Sequence, residues 1–197
     1  MSAGIILQAR VTSKRFPNKC LAFMQGKPVL DWILDSCDES KLPLCVAIPG
    51  NKTNDVLEAY LKLRFKDKQF SYGQPTLYRG AEEDVTTRFI GANTAMKFDP
   101  IVRICSDCPY LAPEDIKLAL EIFKKRKYFT WLNHVQVCSA EELEYAHQNN
   151  NRIDSRQHVG GQFMHNTVEY PEDLDRFNFK SLEDPTIKGR LRLWGTK

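Results

Sequence analysis

Gly4-Ile5-Ile6-Leu7-Gln8-Ala9-Arg10-Val11-Thr12-Ser13-Lys14-Arg15-Phe16-Pro17-Asn18-Lys19 is the stretch on which the reading of this chain turns. Its apolar head, Ile5-Ile6-Leu7, predicts a buried strand over residues 4–9. The remainder predicts a loop over 10–27 that carries Arg10, Thr12, Ser13, Lys14, Arg15 and Lys19. No acidic residue precedes Asp31. Cations and hydroxyls directly after a buried strand suit phosphate oxygens: an arginine fork takes two oxygens at once, and a lysine supplies a compact charge. In open α/β sheets, ligands sit beyond the carboxyl ends of the strands. A solvated basic loop is the plainer alternative, and the position after a strand argues against it.

Working outward, apolar runs and helical periodicities alternate. Val29, Leu30, Ile33, Leu34 and Cys37 recur at helical spacing behind Pro28, which is suited to the first helical position. Leu44 to Ile48 predicts a second strand. Thr53 or Asn54 can cap a helix whose buried face is read as Val56, Leu57, Tyr60, Leu61 and Leu63. Thr76-Leu77-Tyr78 predicts a third strand, ending at Arg79-Gly80. A helix follows through Val85, Phe89, Ile90, Asn93 and Met96, with acids at its start that suit the helix dipole. Ile101 to Cys105 is the fourth strand, and Pro113 opens a helix that Lys124 to Lys127 close. Strands alternating with helices predict a parallel sheet covered on both faces. The fold class expected is α/β, a Rossmann-like three-layer α/β/α sandwich with a mainly parallel sheet.

The later part is less regular. Residues 128–138 predict one or two strands, and Ser139-Ala140-Glu141-Glu142 is a capping box for a helix through Leu143 and Ala146. Short helices are expected near 155–159 and from Pro171, and a last strand over 190–194. The whole is read as one domain, 1–197, regular over 1–127 and irregular over 128–197.

Composition sets limits. The chain has 197 residues, 42% of them apolar and 27% charged, which is ordinary for a globular domain. A net charge of +3 is too small to argue for nucleic acid. No apolar run approaches the roughly 18 residues of a membrane span, and no secretory leader is visible, so neither nucleic acid nor membrane is expected as a partner and a cytoplasmic location is. The six cysteines are read as reduced, mostly core residues. Cys105-x2-Cys108 with His134-x3-Cys138 has zinc-like spacing, but the two halves fall in different elements and the metal reading is ranked low.

Several residues are candidates for chemistry. Asp107, directly after the fourth strand, is a natural Mg²⁺ ligand if a phosphate loop faces it, because magnesium takes one or two carboxylates and completes its shell with phosphate oxygens and water. Its alternative role is capping a turn. Gly80 permits close backbone approach to a base or phosphate. Asp84 and Arg88 share a helix face, to orient each other or contact a nucleotide. His158, with Arg152 and Arg156 nearby, could approach an anionic co-substrate, although a surface histidine is the better reading on sequence alone.

Leu7-Gln8-Ala9-Arg10, followed at fixed spacing by Ser13, Arg15, Pro17 and Lys19, resembles the signature loop of the cytidylyltransferases that activate acidic sugars, the acylneuraminate and 3-deoxy-manno-octulosonate enzymes. The likeness to the spore-coat polysaccharide biosynthesis protein F branch continues in Gly26 to Leu30, in Tyr78 to Val85 with Arg88-Phe89, and in Val102 to Pro109. It extends to Val137-Cys138-Ser139 with Leu143-Glu144, and to Ser155 to Val159. The resemblance implies a nucleotide-diphospho-sugar transferase fold and transfer of CMP from CTP to an acidic sugar, with release of pyrophosphate, for surface polysaccharide or glycan synthesis. It implies nucleotide contacts from Leu7, Ala9, Arg10, Ser13, Arg15, Lys19, Arg79, Gly80, Asp84 and Arg88. It further implies catalytic charge from Arg10, Arg15, Lys19 and Asp107, Mg²⁺ on Asp107, and sugar contacts from Gln136, Arg156 and His158. A homodimer is left open.

Two departures from the family pattern stand out. Gln136 occupies a position that is usually acidic, and the sequence stops at Lys197 where the family runs on to a further carboxylate. A CTP-binding relative with impaired turnover, acting as a sensor or partner subunit, is therefore the rival expectation; Glu169 or Asp173 could stand in for the missing acid. A glycosyltransferase ranks lower, since no Asp-x-Asp pair follows a predicted strand.

Overall fold

The computed structural model describes residues 2–13, 15–126 and 129–149. Strand β1 is Gly4–Gln8, and its side chains alternate between the two faces of the sheet. A short hairpin, β2 (Phe23–Met24) and β3 (Lys27–Pro28), leads into helix α1 (Val29–Glu39). Then come β4 (Leu44–Pro49), α2 (Asp55–Asp67), β5 (Thr76–Gly80), α3 (Val85–Met96), β6 (Ile101–Cys105) and α4 (Pro113–Arg126). An antiparallel pair, β7 (Thr130–Leu132) and β8 (Val135–Cys138), precedes α5 (Ala140–Asn149).

Six strands form one sheet in the order β5-β4-β1-β6-β8-β7. The first four are parallel, and β8 runs antiparallel to β6. The order therefore steps outward from β1 to β5 in one direction, then restarts on the other side of β1 with β6. Such a reversal opens a crevice between the carboxyl ends of the two strands, here β1 and β6.

Two apolar clusters lie on opposite faces of the sheet. Ile5, Leu7, Val46, Ile48, Val102, Ile104, Val135 and Val137 pack against α1, α2 and α4 through Leu30, Ile33, Leu57, Leu61, Ile116 and Leu120. Ile6, Cys45, Ala47, Ile101 and Cys138 face Phe89 and Ala92 of α3 and Leu143 and Ala146 of α5. The result is the expected three-layer sandwich.

Three details depart from the sequence reading. In α2 only Leu57 and Leu61 are fully buried, while Val56 and Leu63 are more than half exposed. The stripe centres on the i, i+4 pair 57/61, which puts 56 and 63 on the outer side. Pro28 is the N-cap of α1 rather than its first helical residue. Asn54 precedes α2 but makes no side-chain cap; its amide serves another loop instead. The capping box before α5 is formed as expected, with Glu142 N–H donating to Ser139 Oγ and Ser139 N–H to Glu142 Oε2. The helices and strand expected beyond residue 150, together with Arg156, His158, Glu169 and Asp173, lie outside the described residues.

Candidate functional site

The β1 ladder continues into the loop. Ala9 N–H donates to Ala47 O of β4 at 3.3 Å, and Ser106 N–H donates to Gln8 O at 2.9 Å, so the segments after β1 and β6 leave the sheet side by side. Val11 is the pivot of the basic loop. Its carbonyl accepts from both Ser13 N–H and Asn18 N–H, each at 2.9 Å, which folds the loop back on itself. Asn18 takes a left-handed conformation, φ 57°, to make the turn into the short 3₁₀ segment Lys19–Leu21.

Val11 N–H points inward and donates to Asn54 Oδ1 at 3.0 Å. Asn54 is fully buried; its Nδ2 donates to Asn51 Oδ1 at 2.5 Å, and Asn51 in turn donates to the Glu82 carboxylate. One polar chain thus ties together the loops after β1, β4 and β5. On the other side, Ser36 Oγ of α1 donates to Leu111 O at 2.7 Å and anchors the segment after β6.

Lys19 and Asp107 meet across the crevice as an ion pair between the loops after β1 and β6. Both side chains are partly exposed. Burial works to raise the Asp107 pKa, but the Lys19 hydrogen bond and charge outweigh it and hold the carboxyl below the usual aspartate value. Arg15 is exposed beside this pair in sequence, and Arg10, Thr12 and Ser13 are half-buried. Thr12 Oγ1 is a buried hydroxyl oxygen without a hydrogen-bond partner. Exposed cations, a hydroxyl with unused capacity and a carboxylate at a strand-order reversal form an arrangement able to bind a phosphate chain with a divalent cation.

Asp107 suits such a cation when the nucleotide supplies most of the ligands. It is an ionised, accessible carboxylate, and no group of three or more His, Cys, Asp or Glu side chains that could hold a metal by itself occurs among the described residues. The zinc-like spacing does not close. Cys138 pairs with Ile101 and Gln8 with Cys105, so Cys138 and Cys105 lie at opposite ends of β6. Antiparallel pairing of β8 with β6 carries them apart.

Arg79 and Gly80 end β5, but the Arg79 guanidinium turns towards α2. It pairs with Asp55 at 2.7 Å and with Glu58, and donates to Asn51 O at 2.8 Å. Gly80 is needed for packing: a Cβ there would lie 2.7 Å from the Tyr78 ring and 3.0 Å from Arg88 Cγ. Asp84 caps α3 by accepting from Thr87 N–H at 2.9 Å. Arg88 of α3 is fully buried, with Nη1 donating to the carbonyls of Ala81 and Glu82. Burial first, and then the nearby charges of Arg10 and Arg103, push its pKa down to about 10, against the weaker pull of Glu82 and Asp84. It remains a cation at neutral pH.

Gln136 is buried in β8, directly opposite Arg103 in β6. Arg103 is held by two glutamines: Nη1 donates to Gln136 Oε1 at 2.7 Å and Nη2 to Gln8 Oε1 at 3.0 Å. Its guanidinium lies 5.8 Å from the Phe89 ring centroid. Sequence reasoning passed over Gln8, Asn54 and Arg103 as site residues. An arginine inside an otherwise apolar strand was the available signal, because a buried charge needs a partner or a task.

The comparisons with known proteins bear on this arrangement. Residues 4–180 match the model of a family described as cytidylyltransferase. The spore coat polysaccharide biosynthesis protein SpsF of Bacillus subtilis is 29% identical over 123 residues, 59% of this chain and 47% of that protein. The 3-deoxy-manno-octulosonate cytidylyltransferase of Francisella tularensis subsp. holarctica is 27% identical over 122 residues, 60% of this chain and 44% of the enzyme. The match to these two relatives thus spans a little under half of their length. A solved cytidylyltransferase structure from Leptospira borgpetersenii superposes with a TM-score of 0.73 at 21% identity, covering 86% of this chain and 74% of that one, which bears out the fold. With the family model extending from β1 through the crevice and beyond α5, the chain belongs to the cytidylyltransferase family.

Proposed function

We propose that this chain binds CTP in the crevice between the loops after β1 and β6 and transfers CMP to an acidic sugar, releasing pyrophosphate, with Mg²⁺ as the cofactor. The observation that carries the reading is the Lys19–Asp107 pair spanning the crevice where the strand order reverses. Family membership and the names of the relatives support the nucleotide and the acid, and their roles in coat polysaccharide and sugar-acid metabolism support surface glycan synthesis as the setting.

In the proposed reaction a hydroxyl oxygen of the sugar acid attacks the α-phosphorus of CTP. The bond from that phosphorus to the bridging oxygen breaks, pyrophosphate leaves, and the hydroxyl proton passes to solvent or a basic group. In-line displacement needs positioning and charge neutralisation more than covalent help from the protein. Arg10, Arg15 and Lys19 supply exposed or half-buried positive charge to the phosphate chain, with the Ser13 and Thr12 hydroxyls beside them. Asp107 would hold Mg²⁺ together with phosphate oxygens and water; the bound ion supplies further neutralisation of the leaving pyrophosphate. Lys19, paired with Asp107 in this structure, is then free to turn to the phosphates. No described helix is long and apolar enough to cross a membrane.

The test is pyrophosphate release from CTP with two sugar acids, 3-deoxy-manno-octulosonate and N-acetylneuraminate, with and without Mg²⁺. Release that needs CTP, acid and Mg²⁺ together supports the reading. CTP binding without any release, using these and related 2-keto-3-deoxy acids, would leave a nucleotide-binding relative and reject the transferase.

A further inference from the structure

Arg64 and Arg79 are neutralised by carboxylates, Asp31 and Asp35 for the one and Asp55 and Glu58 for the other. Arg103 is instead gripped by the neutral oxygens of Gln8 and Gln136, with its Nε–H buried and without a partner. A glutamine holds a guanidinium in place without cancelling its charge. Arg88 is fully buried, and its Nε and Nη2 also lack partners.

Those two nitrogens form one edge of the guanidinium, from which two N–H bonds point the same way. This is the fork that grips both oxygens of a carboxylate. A buried charge left with unused donors is costly unless something outside the chain satisfies it. The Arg103 guanidinium lies 5.8 Å from the ring of Phe89, the residue after Arg88 in α3, and the charges of Arg103 and Arg10 both bear on Arg88. Arg103 reaches the crevice: its Nη2 donates to the side chain of Gln8, whose carbonyl accepts from Ser106 N–H, the residue before Asp107.

We propose that Arg88 and Arg103, together with the half-buried Arg10, form a second oxyanion subsite on the α3 face of the sheet that takes the carboxylate of the acidic acceptor. The inference rests on the transferase reading for its ligand and assigns Arg88 to the acid rather than to the nucleotide. The location of Arg103 favours carboxylate over phosphate, while Arg88 is anchored on the β5 side through the Ala81 and Glu82 carbonyls. Arg103 and Gln136 lie on β6 and β8, on the side of β1 away from β4 and β5, whereas the phosphate-binding groups hang from the β1 loop. The free edge of Arg88 also matches two coplanar oxygens better than a tetrahedral group.

Two substitutions separate a ligand role from a structural one. Arg103→Met removes the charge. Gln136→Glu keeps every side chain near its place but puts a carboxylate against Arg103 Nη1, so a purely structural Arg103 should be held as well or better. Calorimetric titration with the same two sugar acids, their neutral methyl esters and CTP reads out binding, and thermal unfolding reads out stability. In the wild type at least one acid binds and its ester does not. Both variants weaken the acid roughly tenfold to a hundredfold, the scale of a lost charge-assisted hydrogen bond, and leave CTP affinity within about threefold. Gln136→Glu unfolds no lower than wild type, so the inference stays testable if Arg103→Met fails to fold.

Three results overturn the proposal: equal acid binding by wild type and Gln136→Glu, a fall in CTP affinity as large as that for the acid, or no binding of either acid to the wild type. Failure of the transferase reading shows separately, as wild-type protein that binds acid yet releases no pyrophosphate from CTP.

Discussion

Replacing Asn54 by alanine should loosen the basic loop from within. Asn54 is fully buried, and its side chain satisfies two partners, Val11 N–H at 3.0 Å and Asn51 Oδ1 at 2.5 Å. Val11 is itself 4% exposed, so its N–H has no ready route to water. Leaving such a donor unsatisfied costs about 1–3 kcal/mol, and a small cavity adds to it. The expected loss is about 2 kcal/mol, which for a domain of this length is a fall in Tm of roughly 4–8 °C. Urea unfolding gives the free energy. Hydrogen exchange at the Val11 amide gives the location, since about 2 kcal/mol corresponds to exchange roughly thirtyfold faster. Asn51→Ala strands the Asn54 Nδ2 donor but spares the Val11 bond, so it should cost about 1–2 kcal/mol and leave exchange at Val11 nearer the wild-type rate. If Asn54→Ala stays within about 0.5 kcal/mol of wild type and Val11 exchanges at its usual rate, the loop does not depend on this tie and the reasoning is wrong.

Other consequences can be checked alongside. Lys19→Ala should weaken CTP roughly tenfold or more by calorimetry, through loss of a charge-assisted phosphate contact. Arg79→Gln should change CTP affinity less than about threefold, because the guanidinium is committed to Asp55 and Glu58 and exposed ion pairs contribute little. Gly4→Ala should destabilise by about 1–3 kcal/mol in chemical unfolding, since an added Cβ would overlap the Phe98 ring. The Asp35 pKa is depressed: burial raises it, and the Lys27 and Lys68 hydrogen bonds more than reverse that. Its contribution is present above the unfolded value of about 3.9 and is lost as pH falls through the lower folded value. Asp35→Asn should therefore flatten the acid limb of a stability–pH curve below about pH 4, and an unchanged limb would contradict the assignment.

The parallel part of the fold was readable from residue types because β1, β4 and β6 are short apolar runs buried on both faces, separated by helical periodicities. The layer contacts of α2 were not, because Leu57, Leu61 and Val56 offer two overlapping stripes and only packing into the core selects one. The β2–β3 hairpin has two residues per strand, too few for any alternation to register. Within the site, Lys19 and Asp107 were both legible, the first from its basic loop and the second from its strand end. That they pair needed the strand order. Arg103 and its two glutamines come from three strands far apart in sequence, so their meeting is visible only once the register β1–β6–β8 is known. The direction of Arg79 likewise depends on how α2 lies beside β5.

In the proposed function CTP reacts in the crevice that joins Lys19 and Asp107. The direct measurement is pyrophosphate release from CTP, with Mg²⁺ and a sugar acid, by wild type and Asp107→Asn side by side. Release by the wild type should depend on Mg²⁺ and fall about a hundredfold or more in the variant, as expected when a metal-holding carboxylate is lost. Wild-type rates retained by Asp107→Asn, or release that is indifferent to Mg²⁺, would contradict it.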